Sequence, residues 1–177
     1  ILINATYVRD FPRFPYRALM LDTSRHFLSK RVILQNLDLM EMNKLNVFHW
    51  HMTDTESFPF QSEKFPNMSR YGAYDPDTHV YSVQDVKDII QEAETRGIRV
   101  IPEFDVPGHT QSWGKGRPQL LTTCYDNSGE PLDFKGPVNP ILASTYDFLD
   151  EFFEEVIGIF GDAYIMLGGD EVPTQCW

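Results

Sequence analysis

The tetrapeptide Gly168-Gly169-Asp170-Glu171 follows the apolar run Tyr164-Ile165-Met166-Leu167, so two adjacent carboxylates stand where a buried strand would meet open backbone. Acids at the C-terminal ends of parallel strands are typical catalytic groups of barrel enzymes. Neighbouring side chains of a regular strand point to opposite faces, so Asp170 and Glu171 cannot flank one bond from two sides as the acid pairs of most glycosidases do. If both work, they do different jobs. A second constellation is His49-Trp50-His51. Residues two apart on a strand share a face, and two imidazoles there suit a zinc ion, with His109 and Asp170 completing the shell. The alternative is that one or both histidines pack at the rim and hydrogen-bond to carboxylates. With five histidines in the chain and no further clustered ligand set, the second alternative is favoured for His49.

These residues need elements to hold them, and β and α signals alternate along the chain. Ala18 to Leu21 reads as a strand ending in Asp22-Thr23; Ser29 then caps a helix with apolar positions Val32, Ile33, Leu37 and Met40. A second strand runs from Leu45 to Trp50. Ser82 with Asp85 resembles a capping box, opening a helix through Val86, Ile89, Ile90 and Ala93 that Gly97 stops. Ile98 to Phe104 is a third strand. A helix through Phe148, Leu149, Phe152, Phe153, Val156 and Ile157 precedes a fourth strand at Tyr164 to Leu167.

The order βαβαβαβ, with no linker or low-complexity stretch, predicts one α/β unit over residues 1–177. It implies a parallel sheet covered by helices, either an open doubly wound sheet or a (β/α)8 TIM barrel of which four strands are supplied. The chemically interesting residues follow strands: Asp22 and Arg25 after the first, His51 and Asp54 after the second, Asp105 and His109 after the third, Asp170 and Glu171 after the fourth. One functional rim accounts for that clustering and for the two long loops. Trp113 either stacks on a sugar ring or anchors its loop in the core, the latter favoured. His26 and His79 are expected at the surface or rim. Asp150, Glu151, Glu154 and Glu155 read as the solvated face of the last helix.

Composition removes several function classes. A net charge of -11 argues against nucleic acid or an anionic membrane as partner. There is no GxGxxG, phosphate-binding glycine loop or CxxC pair, so a dinucleotide or nucleoside triphosphate cofactor is not expected. No apolar run is long enough to span a bilayer. Ile1-Leu2-Ile3-Asn4 lacks the basic head and apolar stretch of a signal peptide, so any targeting segment is expected upstream or removed. Cys124 and Cys176 allow one disulfide or two free buried thiols. Asn4-Ala5-Thr6 and Asn67-Met68-Ser69 are N-glycosylation acceptors, and together these features lean toward the secretory route.

Four segments carry a resemblance. Leu21-Asp22-Thr23-Ser24-Arg25-His26-Phe27, Asn46-Val47-Phe48-His49-Trp50-His51, Pro102-Glu103-Phe104-Asp105-Val106-Pro107-Gly108-His109-Thr110 and Gly168-Gly169-Asp170-Glu171-Val172 resemble, in order and spacing, the family 20 glycoside hydrolases. The match runs from about Phe11 to Trp177. It implies an exo-acting β-N-acetylhexosaminidase with no metal or other cofactor, acting on glycoconjugates or chitooligosaccharides that end in N-acetylhexosamine. It also implies a lysosomal or secreted protein, dimeric at full length, and a disulfide between Cys124 and Cys176.

The resemblance gives the adjacent acids their separate jobs. In this family the substrate's 2-acetamido carbonyl is the nucleophile and forms an oxazolinium ion that water opens with retention. Glu171 is then the acid and base, burial beside Asp170 being expected to raise its pKa, while Asp170 orients the acetamide. Arg25 matches the arginine that grips the terminal sugar's hydroxyls, and Asp105 an acid of the same rim, expected with Arg25 among the substrate-binding groups. His109 and Asp54 match a histidine–carboxylate pair behind the acid/base. Thr55 departs from the pattern where a second Asp is common, and Ala18 where a Gly often follows the arginine. Four of eight strands predict an unpaired sheet edge, an uncovered inner face and no activity by this chain alone.

Overall fold

The computed structural model describes residues 4–177. Three strands, β1 (Ala18–Asp22), β2 (Val47–Thr53) and β3 (Arg99–Phe104), form a parallel sheet in the order β1-β2-β3. Helix α1 (Lys30–Met42) joins β1 to β2. The β2–β3 connection carries a short α2 (Asn67–Gly72) and the longer α3 (Val83–Thr95). After β3 come α4 (Gln111–Gly116), an antiparallel hairpin of β4 (Leu121–Tyr125) and β5 (Pro131–Val138), and α5 (Ala143–Phe160).

Strand alternation divides the sheet into two unlike faces. Phe48, Trp50, Met52, Val100 and Phe104 point one way and meet Ile33, Leu37 and Met40 of α1, Val86, Ile89 and Ala93 of α3, and Phe148, Phe152, Val156 and Phe160 of α5 in one buried cluster. The spacing of three and four residues in each helix puts these side chains on one stripe, so the three helices share the core. Phe152 lies at its centre, with Phe58, Phe60, Phe104 and Trp113 rings 5.1 to 6.2 Å away. On the opposite face the register aligns Met20, His49 and Ile101, and next to them Asp22, His51 and Glu103. No helix of the described residues is packed there, and Met20 is 50% exposed.

Several expectations change in detail. The capping box of α3 is complete: Asp85 N donates to Ser82 Oγ and Ser82 N to Asp85 Oδ2, both at 3.1 Å, and Gly97 leaves the helix at φ +68°. Ser29 occupies the N-cap of α1, but its side chain makes no capping bond. Strand β2 continues to Thr53, so His51 lies inside the strand and not after it. The predicted fourth strand is reduced to a parallel bridge between Glu103 and Met166, with Phe104 N donating to Met166 O at 3.1 Å and Met166 N to Pro102 O at 2.9 Å. Among the described residues no strand pairs on its far side, and Tyr164, Met166 and Leu167 are left exposed. The sheet is open, and no barrel closes within these residues.

The long loops are ordered structure. The β4–β5 hairpin is tied to the segment after Glu171 by the Cys124–Cys176 disulfide, and Gly136 of β5 packs beneath it: a Cβ there would lie 2.6 Å from Cys176 Cβ. Trp113 is fully buried against Phe58 and Phe152, which makes it a core residue. Glu155, expected on a solvated face, instead accepts from Ser62 Oγ at 2.5 Å and Glu63 N at 2.6 Å, anchoring the turn before α2 to α5. Asn4 and Asn67 are exposed; Ser69 of the second acceptor triplet is buried. His26 is exposed, and His79 lies against Phe27 with ring centroids 5.0 Å apart.

Candidate active site

Parallel register makes the floor of the site. Asp22, His51 and Glu103 are partners across β1, β2 and β3, so their side chains stand in one row on the inner face. The turn after β1 is shaped by Asp22 Oδ1, which accepts from Ser24 N at 3.0 Å and Arg25 N at 2.9 Å. It is bound to β2 by Thr23 N donating to His51 O and Trp50 Nε1 donating to Thr23 Oγ1. Arg25 is thereby aimed along the rim. Its guanidinium meets Asp22 Oδ2 at 2.8 Å, Asp54 Oδ2 at 2.8 Å and Glu56 Oε2 at 3.3 Å.

Asp54 is the hub. It is fully buried, yet each oxygen has two partners: Oδ2 lies 2.8 Å from both His51 Nε2 and Arg25 Nη2, while Oδ1 accepts Thr55 N at 2.6 Å and lies 3.1 Å from His109 Nδ1. Burial acts to raise its pKa, but the bonds from His51 and Thr55, with the charges of Arg25 and His109, hold it below the usual carboxylate value. His51 turns its other nitrogen, Nδ1, to Glu103 Oε2 at 2.9 Å, and His49 Nε2 approaches the same oxygen at 2.5 Å. Bonds from His49 and then His51 push the Glu103 pKa down to about 2. Burial alone would lower that of His51, but Asp54 and Glu103 outweigh it and push it up to about 10. At neutral pH His51 is therefore an imidazolium enclosed by two carboxylates.

The placement of the two histidines bears on the zinc alternative. Among the described residues three sets of potential ligands come within 4.8 Å of one another, His51/Glu103/Asp105, Asp54/Asp105/His109 and His109/Asp170/Glu171, and none holds His49. Both histidines of the motif face one carboxylate, His49 Nε2 at 2.5 Å and His51 Nδ1 at 2.9 Å from Glu103 Oε2, the arrangement that the second alternative describes.

The catalytic candidates sit above this floor. Gly168 and Gly169 adopt φ +64° and +103°, so the backbone breaks from strand geometry and Asp170 and Glu171 leave a turn, not opposite faces of a strand. Asp105 holds that turn. It is 3% exposed and accepts Gly169 N at 3.3 Å, and a Cβ on Gly168 would fall 1.8 Å from its Oδ1. Its burial, with Asp170 and Glu103 nearby, raises its pKa. Expected among the sugar-binding groups, Asp105 lies instead beneath the backbone.

His109 Nε2 is 3.5 Å from Glu171 Oε2 and is buried without a hydrogen-bond partner. Both residues have positive φ, 55° and 48°, which side chains other than glycine adopt at a cost and which clusters at functional sites. The expected burial of Glu171 is not found: its side chain is 79% exposed, because it projects from the open edge of the sheet. Arg25, Asp54, His109 and Glu171 thus form one connected series, with Asp170 beside its end. Glu103 and Glu56 extend it and were not singled out from sequence. For Glu103 a signal existed, since a carboxylate inside an otherwise apolar strand calls for a partner. Glu56, in a loop, gave none.

The sequence profile of the glycosyl hydrolase family 20 catalytic domain matches residues 14–177. The β-hexosaminidase subunit alpha of Bos taurus is 55% identical over 175 residues, covering 99% of this chain and 33% of the relative. The subunit beta of Homo sapiens is 52% identical, covering 99% of this chain and 31% of the relative. The chain thus spans about a third of the length of the curated relatives it matches. Among solved structures, the Flavobacterium johnsoniae chitobiase superposes with a TM-score of 0.82 at 34% identity, covering 95% of this chain and 25% of that one. The Vibrio harveyi exo-β-N-acetylglucosaminidase, solved in complex with N-acetylglucosamine, gives 0.81 at 34% identity, covering 95% and 29%. The chain belongs to glycosyl hydrolase family 20.

Proposed function

We propose that these residues carry the acid/base centre of an exo-acting β-N-acetylhexosaminidase that removes terminal β-linked GlcNAc or GalNAc with retention. The observation that carries this reading is the series Asp54–His109–Glu171, with spacings of 3.1 and 3.5 Å, ending beside Asp170 at the rim. In the first step the Glu171 carboxylic acid gives its proton to the glycosidic oxygen as the acetamido carbonyl oxygen attacks the anomeric carbon and the C–O bond breaks. The resulting oxazolinium carries the positive charge. Asp170 accepts the acetamide N–H, aims the carbonyl and offsets that charge. In the second step the Glu171 carboxylate takes a proton from water as its oxygen attacks the same carbon, which regenerates the acetamide and gives net retention. Arg25 commits Nη1, Nη2 and Nε to Asp22, Asp54 and Glu56, which leaves one N–H on each terminal nitrogen for sugar hydroxyls. No cofactor is required.

The open sheet is the first part of a (β/α)8 barrel, in keeping with relatives about three times as long and with the exposed edge at Tyr164 to Leu167. With Glu171 exposed, nothing here excludes water from the reacting bond, so this chain alone is inactive. The secretory or lysosomal route, supported by the disulfide and the exposed Asn4 and Asn67, and a dimer at full length complete the proposal. No helix of the described residues is long and apolar enough to cross a membrane.

The test uses the full-length protein with chitobiose and its analogue bearing a hydroxyl in place of the reacting acetamide. Cleavage of chitobiose alone, lowered about 10²- to 10⁴-fold by Glu171→Gln, is the expected result. Equal cleavage of both substrates overturns the substrate-assisted mechanism, and full activity of the variant overturns the assignment of Glu171.

A further inference from the structure

His51 is outside the proton path proposed above, yet it is buried and held from both sides. Its side chain is 7% exposed, and both ring nitrogens are engaged, by Asp54 Oδ2 at 2.8 Å and by Glu103 Oε2 at 2.9 Å. A neutral imidazole can donate through only one nitrogen, whereas two facing carboxylates need two donors. Glu103 in turn is fixed from below by His49 at 2.5 Å. The five side chains His49, Glu103, His51, Asp54 and His109 form an unbroken ladder of ring nitrogens and carboxylate oxygens. It leads from the interior of the sheet to the unpartnered Nε2 of His109 that faces Glu171.

We propose that His51 is a positioning residue for the acid/base: a buried ring bonded to both Glu103 and Asp54 that fixes the Asp54 carboxylate, so that Asp54 in turn aims His109 at Glu171. The inference rests on the hexosaminidase reading and deepens it. Without His51, Asp54 Oδ2 keeps only Arg25, and the carboxylate is free to turn and carry Oδ1 away from His109 Nδ1, 3.1 Å distant. His109 Nε2, 3.5 Å from Glu171, then loses its aim. With His51 and Arg25 both on Oδ2, the carboxylate is held and Oδ1 orients the ring. The charged and titratable groups about this ladder are Asp22 and Arg25 on and after β1, His49, Asp54 and Glu56 on and after β2, Glu103 and Asp105 on and after β3, and Asp170 and Glu171.

The experiment compares His51→Gln, Glu103→Gln and Glu171→Gln with the full-length parent, using the pH dependence of kcat and kcat/KM on chitobiose. His51→Gln is expected to lower kcat about 10- to 100-fold, as loss of a partner behind a reacting group does, with little change in KM. The basic limb of the profile, which reports the proton-donating group, should also move, because the ring that faces Glu171 loses its orientation. Glu103→Gln, which removes the anion holding His51 protonated, should shift the limb the same way and serves if His51→Gln does not fold. A folded variant with kcat within about twofold of the parent, or one that loses kcat with its limb unmoved, overturns the proposal. If instead Glu171→Gln retains activity, the hexosaminidase reading itself has failed.

Discussion

The two halves of the candidate site are built in opposite ways. The His49-to-His109 ladder stands on register-paired strands, is largely buried, and has nearly every polar atom engaged. Asp170 and Glu171 leave a double-glycine turn at an unpaired edge, and Glu171 is 79% exposed. The first half is preorganised by secondary structure; the second is aimed by only a few contacts, chiefly Asp105 to Gly169 and the disulfide five residues on. The contrast teaches where each half is vulnerable. A ladder fails through charge, because a missing partner strands a buried ion, while a turn fails through shape, because a side chain does not fit.

Asp54→Asn attacks the ladder at its hub and should have the largest effect. Removing one partner of a buried ion pair costs about 3–5 kcal/mol. Both a lowered denaturation midpoint and loss of chitobiose hydrolysis are expected, and unchanged stability would show that the ladder is not a charge-balanced unit. Gly168→Ala attacks the turn. Its Cβ would lie 1.8 Å from Asp105 Oδ1 in a backbone of φ +64°, so a loss of about 2–4 kcal/mol is expected from overpacking and left-handed strain together.

A pH series separates the two halves. The His51 pKa, raised from 6.5 to about 10, supplies stability that is complete below pH 6.5 and is lost as pH rises toward 10. The lowered pKa of Glu103 supplies stability that is complete above pH 4.5 and is lost as pH falls toward 2. One interaction seen from both sides thus gives a plateau from about pH 4.5 to 6.5, measurable by thermal denaturation and flattened in His51→Gln. Away from both halves, Glu155→Gln leaves the Ser62–Lys64 turn with weaker acceptors. It should cost about 1 kcal/mol, without effect on kcat. A kcat change there would mean that the α5 side of the core is coupled to the site.

How much of this was legible in the sequence follows the same division. Apolar runs and the capping box placed β1, β3 and α3 within a residue or so, because local sequence marks their ends. The pairing of His109 with Asp54 came from the family motifs, since residues 55 positions apart are joined only by tertiary structure. Glu103 was passed over because a carboxylate inside an apolar strand shows its partner only once the register of β2 against β3 is known. The Tyr164 to Leu167 run carries a strand pattern, but a strand needs neighbours, and one side of it has none. The exposure of Glu171 and the hairpin within the second long loop likewise depend on packing that no local pattern encodes.

The disulfide tether has a consequence for how the site ages. Thiols cleave such a bond by approaching one sulfur along the S–S axis, so access governs the rate. Gly136 lays the bare backbone of β5 against both sulfurs, with its would-be Cβ 3.0 Å from each, and Cys124 is 2% exposed. Main chain, which cannot swing aside as a side chain would, thus covers one flank of the bond and Cys124 is closed off, while Cys176 is partly exposed beside a surface cleft. The link that keeps Asp170 and Glu171 in reach of the ladder is therefore open to a small thiol at one sulfur only, that of Cys176.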